Sequence, residues 1–404
     1  MPNLPELIVA QPRDLEACCE QLALCPHLAL DTEFVGEDTY RPDLCLIQVA
    51  TPQQLYLIDP LGAGPLDAFW NLIVEPGRVV VVHAGREEMR ICHFACGRTP
   101  PHLFDVQVAA GLIGAGYPVG YGQLLQQLLG VRLAKGETLT DWRRRPLTPE
   151  QVSYAFDDVR HLLALWRKLT ARLERLGRVG WAKEEFESFV HRAIQENPAV
   201  QKWRKLRGLG SLDRRKLAIV RELFVWREEK AVRLNRPARF LLRDDLIVEI
   251  ARRGPKTERD LASLRGLGKS DLAGILEAVN RARALAPTDW PDEAERDVDP
   301  PQVGLVASLL GVVLADFCQR QELTMPVAAT TQDLRALVRA RLEETELPAS
   351  SPLNRGWRRE HVLPELLAVL EGRWALRVAD LKADSPFERV PIPPRLTSEP
   401  DRTA

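Results

Sequence analysis

The sequence has little of what marks secreted, membrane-spanning or disordered proteins. It has only 7 cysteines in 404 residues, and such an odd, sparse set does not form a disulfide framework. Its N-terminal segment has neither a basic region nor a long apolar stretch, so we expect no signal peptide. The longest apolar run, from about Val303 to Leu314, is shorter than the roughly 20 residues that cross a bilayer. We therefore expect a cytoplasmic chain that does not attach to a membrane.

The chain also lacks net charge, with 55 Lys plus Arg against 56 Asp plus Glu. The basic and acidic residues are, however, unevenly distributed along the chain. Residues 201–285 contain 22 basic and 11 acidic side chains, a net of +11, so the remainder has a net of -12. A basic segment of this kind is typical of proteins that bind a phosphate backbone, although a solvated helix face is an alternative interpretation.

The N-terminal part of the chain, residues 1–175, alternates strand-like and helix-like patterns. Strands are predicted at 28–34, 44–50, 55–59 and 78–83, and helices near 13–25, 65–75, 86–97, 120–129 and 149–174. Short connections between the first three strands predict a meander, followed by strand–helix units. After about residue 176 the pattern is helical, with helices predicted at 181–195, 212–234, 243–253, 257–263 and 269–285. We therefore predict an α/β domain with a mixed sheet flanked by helices, followed by two mostly α-helical modules.

Two acidic side chains stand out at the end of the first predicted strand. Strand alternation places Asp31 and Glu33 on the same face, two residues apart. Paired carboxylates repel each other unless a cation or a proton lies between them. Oxygen ligands suit hard divalent ions such as Mg²⁺. The pair predicts a metal site, although surface strands often carry such pairs.

A second candidate element lies on the last predicted helix of this domain. Tyr154 and Asp158 are four residues apart, which places them on one helix face. Asp158 is a candidate metal ligand, and the Tyr154 hydroxyl is a candidate for orienting a water. Asp157 competes for the ligand role, but it lacks the four-residue spacing. Hydrolysis of a phosphodiester by two metal ions needs three or four carboxylates of this kind.

Several motifs resemble those of the ribonuclease D family. Asp31-Thr-Glu-Phe34, together with 39–48, resembles the family's first exonuclease motif. Val82-His-Ala-Gly85 resembles the second motif, and Tyr154-x-x-x-Asp158 resembles the third. Further matches lie at 104–107, 120–124 and 141–147, so the resemblance covers about residues 5–175 in the family's order and spacing. It implies a 3′→5′ exoribonuclease with an RNase H-like fold, four acids and a tyrosine.

One position departs from the family pattern. The second motif normally has an aspartate five residues after its histidine, and here that position is Glu88. Glutamate keeps the charge but extends the carboxylate by roughly 1.5 Å, and a 1 Å misplacement can lower a rate by ~10²-fold. The longer side chain could instead ligate a metal directly. Glu87 is a weaker substitute, because it faces another side of the helix.

The resemblance also implies roles for individual residues. Asp31, Glu33, Glu88 and Asp158 would hold two divalent ions, Mg²⁺ or Mn²⁺, and Tyr154 would complete the catalytic set. Substrate contacts are expected at Phe34, His83, Lys135 and Arg145. For His83 a structural role at the start of a helix is the alternative, and for Lys135 and Arg145 the alternative is simple solvation.

The basic segment resembles the helicase-and-RNase-D C-terminal (HRDC) domain, through residues between 217 and 261. This family module binds nucleic acid. Within it, a Gly-Leu-Gly turn followed by Lys269 and a helix predicts a phosphate contact at Lys269. We divide the chain into an exonuclease domain (1–175), a helical connector (176–211), an HRDC-like domain (212–285), a linker (286–302), a second, possibly HRDC-like helical module (303–380) and a disordered tail (381–404).

Together these patterns predict a metal-dependent exoribonuclease that trims RNA 3′ ends and releases nucleoside 5′-monophosphates. The expected partner is RNA with a free 3′ end, such as a transfer-RNA precursor or another stable RNA. Two alternatives remain open: a 3′→5′ exonuclease directed at DNA, or a catalytically weak RNA-binding protein, because Glu88 replaces the usual aspartate. The sequence does not determine the oligomeric state.

Overall fold

A computed structural model describes residues 4–133, 140–195, 202–268, 271–292, 299–383 and 385–393. Its N-terminal part is built around a mixed six-stranded sheet with strand order β1-β4-β3-β2-β5-β6. The strands are β1 (Glu6–Val9), β2 (His27–Val35), β3 (Asp43–Ala50), β4 (Leu55–Ile58), β5 (Val79–Val82) and β6 (His102–Asp105).

The sheet topology confirms the predicted meander and the strand–helix units after it. β3 pairs antiparallel with both β2 and β4. β5 pairs parallel with β2, and β6 pairs parallel with β5. β5 consists of four valines, which favour a pleated, buried strand. The sequence patterns missed the two edge strands β1 and β6, which lack the continuous apolar runs of the equally short β4 and β5.

Helices cover both faces of the sheet, as predicted for this α/β domain. They are α1 (Pro12–Ala23), α2 (Asp67–Ile73), α3 (Arg86–Cys96), α4 (Val106–Leu112), α5 (Tyr121–Leu129), α6 (Pro149–Arg160), α7 (Leu162–Arg175) and α8 (Val179–Ile194). The predicted single helix near 149–174 is two helices that meet at His161. One apolar core lies between the sheet and α1–α3, and a second lies on the face covered by α4–α7.

The basic segment folds into five helices around a core of its own. These are α9 (Arg214–Leu234), α10 (Ala238–Leu241), α11 (Asp244–Arg253), α12 (Glu258–Ala262) and α13 (Leu272–Ala284). A loop of the α/β domain contacts the end of α9. The Tyr40 hydroxyl donates to Glu228 Oε2 at 3.2 Å, and the Arg41 N–H donates to Asn235 Oδ1 at 3.0 Å.

The C-terminal part contains four helices and a β-hairpin. The helices are α14 (Pro301–Arg320), α15 (Met325–Ala328), α16 (Thr331–Leu342) and α17 (Leu363–Leu370), and the hairpin pairs β7 (Trp374–Val378) with β8 (Phe387–Pro391). The expectation of a disordered tail from 381 is therefore wrong for β8, which pairs antiparallel with β7 and joins it through an ion pair between Arg377 and Glu388. The module also includes a strand pair that the helical pattern did not predict.

The C-terminal helices share one apolar core with the α/β domain. Buried residues of α14, α16 and α17 belong to the same cluster as those of β2, α4 and α7. Trp357 stacks on Trp181 of α8 with ring centroids 4.5 Å apart, and its indole N–H donates to Glu185 at 2.9 Å. The predicted domain boundaries stay predictions, but residues 301–370 pack onto the α/β domain rather than standing apart from it.

α14 is longer than the apolar run predicted at 303–314. At 20 residues with a mean hydropathy of 1.7, it passes a length and composition test for a membrane span. Core helices of water-soluble folds pass the same test. α14 buries Leu310, Val313 and Leu314 against the rest of the chain, whereas Leu305, Leu309 and Val312 on its other side are exposed.

Candidate active site

β2 provides the first two acids of the candidate site. Asp31 and Glu33 lie on the same face of β2 as Ala29, the face that α6 and α7 cover, whereas Leu28 and Leu30 lie on the other. The register of β2 with β3 shifts between Glu33 and Phe34, which marks a β-bulge. Bulges re-aim side chains next to active sites. The two carboxylates thus lie together at the carboxyl end of β2, as the alternation predicts.

α6 brings the predicted tyrosine and the third acid to this face. Its start is fixed by a capping box, in which the Thr148 hydroxyl and the Gln151 side chain bind each other's backbone N–H groups. One turn separates Tyr154 from Asp158, and the nearby Tyr154 hydroxyl lowers the pKa of the Asp158 carboxyl, against the burial that raises it. Asp157 instead accepts a 2.8 Å hydrogen bond from Arg160. This geometry favours Asp158 over Asp157 as the site residue.

Glu88 approaches from the opposite side of β2. It lies in the first two turns of α3, buried with a 5% exposed fraction, and its Oε1 accepts a 2.7 Å hydrogen bond from the Thr32 hydroxyl. Thr32 lies between Asp31 and Glu33 in sequence, so strand alternation turns its side chain to the α3 face. Thr32 therefore holds the Glu88 carboxylate across the strand from the other acids. Glu87 forms an ion pair with Arg90 at 3.4 Å, which agrees with the prediction that it faces elsewhere.

The start of α3 is held by a residue that sequence reasoning did not single out. Asp105 is fully buried at the end of β6, and its carboxylate accepts from the backbone N–H of Gly85 at 2.9 Å. It also accepts from Gln107 at 2.8 Å and from Val108 at 3.1 Å, which caps α4. One buried carboxylate thus fixes the first turns of both α3 and α4. The Asp-x-Gln pattern at the end of a strand was the available signal for an N-cap.

Burial raises the pKa values of all four candidate acids, and repulsion from neighbouring acids adds to each shift. Loss of hydration is the main cause for each. The pKa of Glu33 rises to about 8 and that of Asp158 to about 7, and the pKa of Asp31 rises well above its usual range. The negative charges of Asp158 and Glu88 contribute further to the shifts of Asp31 and Glu33. The pKa of Glu88 rises to about 7 in spite of the Thr32 hydrogen bond, which lowers it.

The donor set of this site fits a hard divalent cation. None of the four acids forms an ion pair with a lysine or arginine in the described part of the chain. Gln48, which lies directly across from Asp31 in the β2–β3 register, is fully buried. Neither its amide oxygen nor its amide nitrogen has a hydrogen-bond partner among the described residues. Uncompensated carboxylate oxygens next to an unsatisfied amide are what an oxygen-coordinated ion would satisfy.

The carboxylates of the described residues do not converge on a single point. Among the residues that the structure covers, no three acidic, histidine or cysteine side chains are arranged to hold a metal. Glu88 is turned toward Thr32 rather than toward the acids of β2 and α6. Exonucleases of this fold depend on divalent metal ions.

Phe34 and His83, the aromatic and histidine residues predicted to contact the substrate, both make contacts within the protein. Phe34 is partly buried and packs against the core on the α3 face of the sheet. His83 donates from Nε2 to the Val119 carbonyl at 2.9 Å, and its ring lies 5.5 Å from that of Tyr121. This use of the imidazole fits the structural alternative for His83. Tyr121 itself was not predicted, and the nearby Asp158 and Asp31 charges add to the burial that raises its pKa.

The phosphate contact predicted at Arg145 stays a prediction, and in this structure the Arg145 side chain is engaged within the protein. All five N–H donors of its guanidinium have partners within the protein. Two bind the Asp59 carboxylate at 2.5 and 2.8 Å, and the others bind the carbonyls of Cys45, Trp142 and Arg144 at 2.7 to 2.8 Å. A guanidinium has five donors and no more. Lys135 and Lys269, the other two predicted contacts, lie outside the described residues.

Comparisons with known proteins match both parts of the chain. A 3′-5′ exonuclease family model matches residues 7–174, and an HRDC domain model matches residues 216–278. Ribonuclease D of Gluconacetobacter diazotrophicus is 36% identical over 379 residues, covering 92% of this chain and 94% of that protein. Ribonuclease D of Sphingobium indicum is 34% identical, covering 92% and 96%.

Among solved structures, the Escherichia coli RNase D crystal structure superposes with a TM-score of 0.80 at 28% identity. The match covers 91% of this chain and 99% of that one. The similarity therefore extends over the α/β domain, the basic helices and the C-terminal helices. The chain belongs to the ribonuclease D family of 3′→5′ exoribonucleases.

Proposed function

We propose that this chain is a divalent-metal-dependent exoribonuclease that removes nucleotides one at a time from RNA 3′ ends by a two-metal mechanism. Asp31, Glu33, Glu88 and Asp158 would hold two ions, Mg²⁺ or Mn²⁺. The observation that supports this most directly is the cluster of partly buried carboxylates with raised pKa values and no cationic partner among the described residues. Such a cluster is stable in its charged form only next to a cation.

The ions would lower the pKa of the attacking water and neutralise charge on the phosphate. Tyr154 would position this water, because its hydroxyl lies one helix turn from Asp158 and acts on the pKa of that carboxyl. A hydroxyl whose proton is directed at a carboxylate would keep its oxygen lone pairs to accept a hydrogen bond from water. Burial raises the pKa of Tyr154, so it stays protonated in this role.

In this reaction the water oxygen forms a bond to the last phosphorus. The bond between that phosphorus and the 3′ oxygen of the preceding nucleotide breaks, and the 3′ oxygen takes up a proton. The products are a nucleoside 5′-monophosphate and an RNA shortened by one nucleotide. The E. coli relative is described as an exoribonuclease involved in structured RNA processing. We infer a similar substrate class here, with transfer-RNA precursors as the first to test.

A second candidate function follows from the contact between Glu88 and Thr32. If the longer side chain keeps its carboxylate on the Thr32 hydroxyl, the ligand set is incomplete. The protein would then bind RNA but hydrolyse it slowly. Replacing Glu88 by aspartate shortens the side chain by roughly 1.5 Å, so that it no longer reaches Thr32 and a faster rate follows.

The test is a degradation assay on labelled single-stranded RNA and DNA, with Mg²⁺, Mn²⁺ or EDTA. It compares the wild type, Asp31→Ala and Glu88→Asp, with Glu87→Asp as a matched control on the same helix. The proposal expects metal-dependent release of 5′-monophosphates from RNA and a loss of at least about two orders of magnitude in Asp31→Ala. Full activity of Asp31→Ala refutes the site. Preference for DNA refutes the substrate class, and an inactive wild type that Glu88→Asp activates supports the second candidate.

A further inference from the structure

One buried side chain of the sheet has polar groups that the surrounding protein does not use. Gln48 of β3 is fully buried, and neither end of its amide has a hydrogen-bond partner among the described residues. Gln151, which is also buried, uses both ends of its amide. Its Oε1 accepts from the Thr148 N–H and its Nε2 donates to the Thr140 hydroxyl, each at 2.8 Å. Because an unpaired buried amide costs free energy, packing alone does not explain a glutamine at position 48.

The sheet register places one polar side chain directly across from Gln48. Gln48 lies opposite Asp31 of β2 on one side and opposite Leu57 of β4 on the other. The neighbours of Gln48 on the same face of β3, Leu46 and Ala50, are buried and apolar. α6 packs on β3 above them. Of the two residues directly opposite Gln48, Asp31 is therefore the one that can exchange a hydrogen bond with its amide.

The spacing of paired strands allows this contact. Cβ atoms of directly opposite residues in an antiparallel pair are about 4.5–5.5 Å apart. A glutamine side chain has several rotatable bonds, so rotation about them brings its amide to the carboxylate of such a neighbour. An amide N–H is a neutral donor, and it satisfies one carboxylate oxygen without cancelling the charge that attracts a cation. A lysine or arginine at this position would cancel that charge.

We propose that Gln48 is the positioning residue of Asp31 and holds its carboxylate toward the divalent ion. The side-chain N–H of Gln48 donates to one oxygen of Asp31, and the other oxygen is left for the ion. Carboxylates that ligate a metal are usually hydrogen-bonded in turn, and loss of such a partner typically lowers metal affinity or activity by about 10–100-fold. This inference rests on the proposed function, because it takes Asp31 to be a metal ligand.

The test uses the full-length protein and compares Gln48→Met with the wild type. Methionine is similar in length and has no amide, so it fills the space without a donor. The matched control is Gln54→Met, which makes the same change in the turn between β3 and β4, where Gln54 Oε1 accepts from the Tyr56 hydroxyl at 3.3 Å. A second variant, Gln48→Asn, keeps the amide but shortens the side chain, so that the amide no longer reaches Asp31.

The first measurement is Mn²⁺ binding by titration calorimetry without RNA. We expect the dissociation constant to rise about 10–100-fold in Gln48→Met and in Gln48→Asn, and to change less than about twofold in the control. The second measurement is urea unfolding in EDTA. Gln48→Met should unfold at the same urea concentration as the wild type or a higher one, because it removes an amide that has no partner among the described residues. A purely structural Gln48 would give the opposite results, earlier unfolding and unchanged Mn²⁺ affinity.

A double variant tests whether Gln48 acts through Asp31. Asp31→Ala should weaken Mn²⁺ binding, and adding Gln48→Met to it should cause less than about a twofold further loss. A further loss of about tenfold or more would show that the amide binds the ion without Asp31, and it would overturn the positioning role.

The degradation assay gives a third readout. The Mn²⁺ concentration that supports half the maximal rate on single-stranded RNA should rise about 10–100-fold in Gln48→Met, as the dissociation constant does. KM for RNA at saturating Mn²⁺ should stay within about twofold of the wild-type value, because the fully buried side chain does not reach RNA.

The outcomes separate this inference from the proposed function. If the wild type binds Mn²⁺ and degrades RNA, and Gln48→Met binds Mn²⁺ equally well, the inference is wrong and the proposed function stands. If Gln48→Met binds Mn²⁺ more weakly but the wild type degrades no RNA, Gln48 positions Asp31 and the proposed function fails. A wild type that binds no Mn²⁺ overturns both. If circular dichroism shows that Gln48→Met does not fold, wild-type Mn²⁺ affinity in Gln48→Asn overturns the inference.

Discussion

Replacing Arg145 distinguishes a structural role from the phosphate contact expected by resemblance. The guanidinium joins the segment 141–147 to β3, through the Cys45 carbonyl, and to Asp59 after β4. Its side chain is 24% exposed and that of Asp59 is 13% exposed, so both are largely removed from water. Arg145→Ala therefore leaves one carboxylate and three carbonyls without their donors.

The structure gives the size of the expected effect. Removing one partner of a buried ion pair costs about 3–5 kcal/mol, and the residual exposure of Arg145 reduces this to about 2–4 kcal/mol. For a chain of this size we expect a melting temperature lower by roughly 2–5 °C. Arg145→Lys recovers little of the loss, because an ammonium group cannot reproduce the planar five-donor arrangement. The measurements are urea unfolding, thermal unfolding and KM for single-stranded RNA well below the transition.

Arg144→Ala is the control, because its side chain is 84% exposed and its nearest acid, Asp141, is 3.7 Å away. We expect it to change the free energy of unfolding by less than about 0.5 kcal/mol. The reasoning is refuted if Arg145→Ala unfolds like the wild type while its KM for RNA rises tenfold or more. That result would restore the phosphate contact and remove the structural role.

Three further predictions concern stability. Since the pKa values of Glu33 and Asp158 are raised to about 8 and about 7, the metal-free folded protein holds more protons than the unfolded chain between about pH 4 and pH 8. Its free energy of unfolding should therefore fall by a few kcal/mol as the pH rises through this window, and Mn²⁺ should reverse the fall at pH 8. A flat pH profile in chemical denaturation would contradict the clustering of these acids. Glu185→Ala, which removes the acceptor of Arg358 and of the Trp357 indole, should destabilise the protein by about 3–5 kcal/mol. An unchanged melting temperature would show that this contact does not hold the C-terminal helices. Thr32→Val should raise the pKa of Glu88 and cost about 1.5–3 kcal/mol, and an effect below 0.5 kcal/mol in urea unfolding would show that the hydrogen bond contributes little.

The strongest sequence patterns predicted the parts of the fold that are local. Alternation in β2 placed Asp31 and Glu33 on one face, and the four-residue spacing joined Tyr154 to Asp158. Four consecutive valines predicted β5. The edge strands β1 and β6 were missed, because each interrupts its short apolar stretch with a charged or polar residue, whereas β4 and β5 are continuous apolar runs of the same length.

The sequence could not show what the side chains contact over long distances. Arg145 carries the same charge whether it binds a phosphate or Asp59, and only the fold brings β3 and β4 within its reach. The contact between Thr32 and Glu88 spans 56 residues and depends on α3 packing beneath β2. The sequence indicated Asp105 only as a possible helix cap, and its second contact, with the start of α3, is known only from the fold.

By itself, the sequence indicated the class of enzyme and predicted an approximate place for its site, because ligand type, strand alternation and helix spacing are local properties. It also determined the charge contrast between residues 201–285 and the rest of the chain. The tertiary structure determined which charged side chains have partners within the protein. It placed the Arg145 guanidinium within reach of five acceptor atoms. It also brought Arg86, Arg192 and Lys205 into one cleft, although Arg86 and Lys205 are more than a hundred residues apart in the sequence. A side chain's role follows from the partners that burial leaves within reach, and those partners are set by packing between distant segments.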